Sequence, residues 1–135
     1  MRLIRQKITI INIRKPQIHN INDKLKWFGN SLGLFNLRDK DKSCYRIFIE
    51  LLKSSRKATP LSSDQLAERL NLSRGTVIHH LSKLMESGIV VHEGNKYLLR
   101  VDNLKDLISE VEKDLKRMTD DLKDVAQDID KWLGM

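Results

Sequence analysis

The sequence predicts a mainly α-helical fold with a small β-hairpin and a long C-terminal helix. Two helical patterns, each preceded by a serine that can act as N-cap, follow one another at residues 63–70 and 74–86. Two short strand patterns surround a Gly-containing turn within residues 89–100. From residue 104 to residue 132 an apolar residue recurs every three or four positions, which is typical of a helix that packs along one face.

The chain has 135 residues, with 25 Lys and Arg against 18 Asp and Glu, and a formal net charge of +7. This length suffices for one domain with a core plus appendages. The charge is uneven, because residues 1–60 carry a net +10, residues 61–100 a net +1 and residues 101–135 a net −4. The basic balance favours a polyanionic partner.

The sequence excludes several classes of protein. The longest stretch without a charge, residues 27–37, is too short and too polar for a membrane span, which needs about 20 apolar residues. The N-terminus does not have the pattern of a signal peptide. Cys44 is the only cysteine, so it forms no disulfide within the chain. We therefore expect a reduced, cytoplasmic protein.

The chain is expected to divide into a basic N-terminal strand and helix extension at residues 1–38, a central domain at 39–100 and a C-terminal helix at 101–135. The Ile-rich residues 3–13 predict a strand. Apolar spacing predicts a helix over residues 18–28, stopped by residues 29–31. A second helix is predicted to begin near residues 39–41 and to end at Ser54 and Ser55.

The central domain is predicted to contain a helix-turn-helix. Ser62 and Gln65 are spaced as a capping box for a helix over residues 63–70. Asn71 tolerates the left-handed backbone of a tight turn, and Ser73 can cap the next helix over residues 74–86. Ala67 provides the small side chain that closely packed helices require. The second helix is expected to bury Val77, Ile78, Leu81, Leu84 and Met85.

A hairpin follows directly, with strands at residues 89–92 and 96–100 and a turn at residues 93–95. A helix-turn-helix followed by such a hairpin is a winged helix, in which the hairpin is the wing. The fold class is thus a winged helix-turn-helix with a long C-terminal dimerisation helix.

Residues 66–90, LAERLNLSRGTVIHHLSKLMESGIV, resemble the signature of ArsR-like winged-helix transcriptional regulators. The resemblance covers residues 41–100 at its widest. It implies a dimeric DNA-binding regulator whose second helix enters the major groove. The metal-sensing branch of that family uses paired cysteines or ligands on the last helix. This chain has only Cys44 and no histidine after His92, so the non-metal-sensing branch is expected.

DNA contacts are expected from the outer face of the second helix and from the wing. Arg74 can pair with a guanine edge, Thr76 and His79 can meet base edges, and Lys83 suits a phosphate. The N-terminus of the helix also suits a phosphate. The full set of candidates is Ser73, Arg74, Gly75, Thr76, His79, His80, Lys83, Asn95 and Lys96.

The basic N-terminus offers a second set of candidate cations. Arg2, Arg5, Lys7, Arg14 and Lys15 are either an additional phosphate-binding arm or a solvated strand beside the domain. These two interpretations are equally supported by the sequence.

The C-terminal stripe has unbroken heptad spacing, with Asp102 as a possible N-cap. Its members, which form the candidate dimer interface, are Leu104, Ile108, Val111, Leu115, Met118, Leu122, Val125, Ile129 and Trp132. A coiled coil with a second copy is favoured over packing on the basic N-terminal segment. The flanking Asp114, Asp121 and Asp128 support neither a parallel nor an antiparallel pair by charge.

Together these features predict a homodimeric, sequence-specific regulator that binds double-stranded DNA. The alternative is a protein-interaction module in which the winged helix and the coiled coil dock a partner protein. Single-strand or RNA binding is less favoured, because only Trp27 and Phe28 resemble a stacking platform. No constellation typical of an enzyme stands out, and no cofactor or metal is expected. Cys44 is interpreted as a small core residue.

Overall fold

A computed structural model describes residues 5–15, 17, 20–35 and 42–134 of the chain. The described part forms helices α1 (Ile21–Ser31), α2 (Ser43–Arg56), α3 (Ser63–Leu70), α4 (Arg74–Glu86) and α5 (Leu104–Trp132). Strands β1 (Leu61–Ser62), β2 (Val90–Glu93) and β3 (Lys96–Leu99) form an antiparallel sheet in the order β1-β3-β2. This is the winged helix-turn-helix with a long C-terminal helix that the sequence predicts.

The core lies where α2, α3, α4 and the sheet meet. It consists of aliphatic side chains together with Phe48 and the small Cys44, which is buried as predicted. Strand β1 was not predicted, because two residues are too few to show an alternating pattern. It is defined by its pairing with β3, in which Leu61 lies opposite Tyr97 and Ser62 opposite Lys96.

The N-terminal segment, residues 5–15, is not a strand, so the predicted strand over residues 3–13 is wrong where the structure describes it; residues 3 and 4 lie outside the described part. Its backbone amides bind single acceptors in two helices instead of a strand partner. The Lys7 amide donates to the Glu86 carbonyl at 3.0 Å, and the Ile11 amide donates to the Ser31 carbonyl at 2.7 Å. The segment therefore runs as irregular chain from the end of α4 to α1.

Gly88, just after α4, shows how closely this segment approaches the domain. Its φ is +85°, which an L side chain rarely adopts, and an added Cβ would collide with the Gln6 side-chain amide. The predicted glycine end of α4 is therefore also a docking point for the N-terminal segment.

The first two helices differ from the predicted bounds. Helix α1 begins at Ile21 and continues through Gly29 to Ser31. The buried Gly29 leaves space for the Phe35 and Tyr45 rings, which a Cβ at this position would crowd. Residue 18, where a start was predicted, and residues 39–41 lie outside the described residues. Helix α2 does not end at Ser54 and Ser55. The Ser54 hydroxyl donates to the Leu51 carbonyl, the Ser55 hydroxyl accepts from the Leu99 amide, and the helix continues to Arg56.

The two halves of helix α5 have different surroundings. Its N-cap is Asn103, not Asp102, since the Asn103 side chain accepts from the Asp106 amide at 2.9 Å. In the first half Leu107, Val111 and Asp114 are buried against the domain. From residue 119 to residue 134 every residue is exposed. The second half therefore extends into solvent beyond the domain.

Candidate nucleic-acid interface

Capping residues fix the turn between α3 and α4 as the sequence predicts. The Ser62 hydroxyl accepts from the Gln65 amide at 3.1 Å, and the Gln65 side chain accepts from the Ser62 amide at 2.8 Å, which completes a capping box. Asn71 is left-handed with a φ of 54°. The Ser73 hydroxyl caps α4 by accepting from the Thr76 amide at 3.1 Å. These contacts set the direction in which α4 leaves the turn.

The outer face of α4 is defined by what the helix buries. Val77, Leu81 and Leu84 point into the core. Gly75 and His79 lie on the opposite side and are exposed, with Arg74 exposed on one flank. Thr76 and His80 lie on the other flank and are half-buried. The helix thus presents a continuous surface over its first two turns.

Arg74 has a partner that sequence reasoning missed. Its Nε atom lies 3.5 Å from the Oδ1 atom of Asp64, near the start of α3. Both side chains are more than 70% exposed, and such surface ion pairs contribute about 0–1 kcal/mol. The guanidinium can therefore leave this carboxylate for a stronger acceptor at little cost.

Gly75 leaves the backbone open in the first turn of α4. A Cβ built at this position meets no atom within 4 Å, so packing within the domain does not require a glycine here. Glycine costs a helix about 0.5–1 kcal/mol relative to alanine. The position gives a ligand direct access to the helix N-terminus, where backbone amides and the helix dipole favour an anion.

Ser73 and Thr76 form a small hydroxyl pair beside this opening. The Ser73 hydroxyl donates to the Thr76 hydroxyl at 2.8 Å while it caps the helix. The rings of His79 and His80 lie edge to face with centroids 5.2 Å apart. Among the described residues no group of three His, Cys, Asp or Glu side chains is placed to hold a metal ion.

Two residues on the exposed surface of α4 were not among the predicted contacts. Ile78 was expected in the core but is 38% exposed, because it lies about 100° around the helix from Val77. It stands one turn after Arg74 on the same flank. Ser82 is exposed one turn after Ile78. The spacing of Val77, Leu81 and Leu84 defines an inner face narrower than the predicted one. This narrower face leaves Ile78 and Ser82 on the exposed surface, so the sequence could have identified them. Met85 is half-buried.

Lys83 is exposed near the other end of α4. With Lys7 and Thr9 of the N-terminal segment it lines a cavity of about 220 Å³. Arg5 lies 4.0 Å from Glu86 at the same end of the helix. The first part of the basic N-terminus is thus about 18 Å from Arg74 along the axis of α4 and lies beside Lys83. Arg2 lies outside the described residues.

The wing is a tight hairpin with Gly94 and Asn95 at its tip. Strand pairing extends to Glu93 and Lys96, so Glu93 belongs to β2 and not to the predicted turn, while Lys96 begins the second strand as predicted. The His92 Nδ1 atom lies 3.2 Å from the Gly94 carbonyl oxygen and steadies the tip. Asn95 and Lys96 are exposed, as a contact with DNA would require. Glu93 is exposed beside them and offsets the charge of Lys96.

The predicted dimer stripe on α5 has a first part that packs on the chain's own domain and a distal part that is exposed. Val111 is only 3% exposed and packs on its own domain. Leu104, Leu115 and Met118 are half-buried, and Ile108 is exposed. The distal members, Leu122, Val125, Ile129 and Trp132, are fully available. Leu107, which the heptad pattern did not select, is buried against the domain.

Comparison with protein families identifies the central part of the chain. Residues 49–91 match the family described as bacterial regulatory protein, arsR family. The chain contains an ArsR-family domain. The match runs from α2 through the helix-turn-helix to β2, and leaves the N-terminal segment and α5 outside. The match to this family supports a DNA-binding transcription regulator.

Neither the curated proteins nor the solved structures provide a match to the chain. In the described part of the chain no helix combines the length and the apolar character needed to cross a membrane.

Proposed function

We propose that the protein is a homodimeric transcription regulator that binds double-stranded DNA sequence-specifically. In this proposal α4 enters the major groove with its N-terminal turns toward the base pairs. The wing lies against the DNA backbone or in the minor groove. Such a regulator would act in the cytoplasm.

The observation that carries the proposal is the open N-terminal turn of α4. Arg74 is exposed, Gly75 leaves the backbone accessible, and the Ser73 cap fixes the direction of the helix. A guanidinium can donate two hydrogen bonds to a guanine edge, and an apolar side chain such as Ile78 can contact a thymine methyl group. The arrangement therefore combines base recognition with a site for a phosphate at the helix terminus.

The distal part of α5 supports the homodimer. Leu122 is 68% exposed and Trp132 is 84% exposed on one stripe of a helix that its own domain does not cover. A contiguous exposed apolar patch of this kind marks an interaction surface. A two-fold dimer would present two copies of α4 to two half-sites of a palindromic DNA sequence.

The same stripe also favours a second candidate function, a protein-interaction module that docks a different protein. The two functions differ in simple observations. A regulator forms a dimer and binds duplex DNA, whereas a docking module stays monomeric and binds no duplex. Sedimentation combined with a gel shift against bulk genomic DNA separates them.

Substitution of Arg74 and Lys83 tests the DNA interface. The preferred duplex is first selected from a random pool, and binding is measured at several salt concentrations. R74A is expected to cost about 1–3 kcal/mol on the preferred duplex and to relax its sequence preference. K83A is expected to weaken all duplexes alike and to lower the salt slope by about one.

The control is Asp64→Asn, which removes the partner of Arg74 without touching α4. Affinity for DNA is expected to rise slightly, because one carboxylate near the phosphates is lost. An R74A protein that binds every duplex as tightly as the parent would rule out this placement of the recognition surface.

A further inference from the structure

The distal half of α5, residues 119–134, is an exposed arm that is both apolar and acidic. Its stripe carries Leu122, Val125, Ile129 and Trp132, with Leu133 beside it. The arm contains five Asp and two Lys residues. Asp121 and Asp128 flank the stripe along the same edge. A surface that covers the arm therefore has to be apolar in its centre and basic at its side.

The N-terminal segment has these two properties. Ile10, Ile11 and Ile13 are exposed large hydrophobic residues on it. The four charged side chains within residues 5–15 are all basic, and Arg14 and Lys15 at its end are exposed. The charges of the segment and of the arm are thus opposite, and both expose branched aliphatic side chains.

The arm does not cover the N-terminal segment of its own chain. Asp114 fixes α5 beside this segment by accepting a hydrogen bond from the Gln6 side chain at 2.8 Å. Beyond Asp114 the helix continues for about 27 Å, and every residue of the arm is exposed. The arm of each chain therefore leaves its own domain without folding back on its own N-terminal segment.

We propose that the arm of one copy docks on the N-terminal segment of a second copy. A two-fold axis makes the contact twice, since each copy supplies one arm and one segment. The inference rests on the proposed homodimer and specifies which surfaces meet in it. Two arms packed on each other would bring together surfaces of net charge −3, whereas the segment offers a net +4.

Charge exchange tests this contact, with the dimer dissociation constant measured by sedimentation equilibrium without DNA. D121K/D128K and R14E/K15E are each expected to weaken the dimer at least about fivefold. The combined variant is expected to recover most of the loss, because the pairs are restored with reversed sign. In an arm-on-arm coiled coil, D121K/D128K would instead tighten or preserve the dimer and R14E/K15E would change nothing.

Matched controls carry the same change of charge elsewhere. D120K/D124K reverses two charges that lie farther around the arm from the stripe than Asp121 and Asp128 do, and R56E/K57E reverses two at the end of α2; both are expected to leave the dimer within about twofold of the parent. Circular dichroism checks that each variant is folded. Loss without recovery in the combined variant, or equal losses in the controls, would overturn the docking.

The outcome is separable from that of the DNA proposal. A parent protein that is monomeric at every concentration overturns the homodimer and the docking together. A dimer insensitive to these charges overturns the docking alone. If the combined variant recovers dimer affinity but the parent binds no duplex, the docking stands and the DNA-binding function is overturned.

Discussion

At the scale of single residues, Gly75 is the position where stability and the proposed function conflict. It lies in the first turn of α4 with no neighbour near a built Cβ. A helix would be more stable with alanine there, and the domain has room for the added methyl group. We infer that the glycine serves contact with a ligand at the backbone rather than packing.

Gly75→Ala is therefore expected to raise the free energy of unfolding by about 0.5–1 kcal/mol and to weaken DNA binding. The methyl group fits the free protein but stands between the helix N-terminus and a phosphate. Urea unfolding and a gel shift on the preferred duplex measure the two effects. Ser109→Ala, on the exposed side of α5, is the control that favours a helix without approaching α4. A more stable G75A protein with unchanged affinity would contradict the backbone contact.

Ile78 shows that a sequence pattern predicts poorly whether an apolar residue at the edge of a helix face is buried. Val77, Ile78 and Leu81 all fit an apolar helical pattern, yet Ile78 lies outside the core. An apolar residue next to the inner face of a helix still fits the helical spacing, so the sequence pattern does not show that it lies outside the core. Arg74 and its exposure were predictable from the same pattern, whereas the Asp64 partner depends on how α3 and α4 cross.

At the scale of elements, the best predicted helices are those whose ends are encoded by local chemistry. The bounds of α3 and α4 follow from Ser62, Asn71 and Ser73, whose side chains and backbone complete the contacts within a few residues. The N-terminal segment was predicted wrongly because its Ile-rich composition suits a strand, while its acceptors lie on α4 and α1. Composition does not show which partner a backbone amide will find.

Helix α5 shows a second limit of element prediction. Its heptad pattern correctly indicated a packed helix, but Leu107 and Asp114 share the buried face with Val111. The domain takes one face of the first half, and the heptad stripe stays exposed in the second. A periodic sequence does not show where along one helix the packing against the domain ends.

Asp114 joins three elements, and its charge is the basis of a pH prediction. Burial alone raises the pKa of this carboxyl group, which is only 2% exposed. Hydrogen bonds from Arg100 and Gln6 and the charges of Arg100 and Arg117 outweigh that effect. The pKa of Asp114 therefore lies below its ordinary value. The pKa of Arg100 is raised, chiefly by the hydrogen bond to Asp114.

A carboxylate with a lowered pKa stabilises the fold at pH values above its unfolded pKa, about 3.9, and this stabilisation is lost as the pH falls through the folded value. Asp114→Asn is expected to lower the free energy of unfolding by about 1–3 kcal/mol at pH 7. The difference from the parent is expected to shrink below about pH 4. Urea unfolding between pH 7 and pH 3 measures it.

Asp120→Asn is the control for this pH profile. Asp120 is exposed on the same helix, and a hydrogen bond from Lys116 lowers its pKa. Its replacement is expected to change stability little, since exposed ion pairs contribute little. A difference between D114N and the parent that stays constant down to pH 3 would show that Asp114 acts through packing and not through its charge.

At the scale of the whole molecule, the two ends of the chain carry net charges of opposite sign. The basic excess lies before the ArsR-family domain, the acidic excess lies in α5, and the domain itself is nearly neutral. Non-specific attraction by the domain alone is therefore small, because such attraction depends on clustered cations. Tight binding would then depend on two copies of α4 acting together on one duplex.

The variant L122E/I129E tests this dependence on the dimer. Both side chains are exposed, so the monomer is expected to keep its fold and its stability, while two buried charges would oppose any apolar contact of the arm. Sedimentation is expected to show a monomer. Affinity for a palindromic duplex is expected to fall about 10²–10⁴-fold, because the second half-site no longer benefits from tethering. Gln127→Glu, on the opposite side of the arm, is the control and is expected to remain dimeric. A monomeric L122E/I129E protein that binds the palindrome as tightly as the parent would mean that a single α4 and wing suffice for recognition.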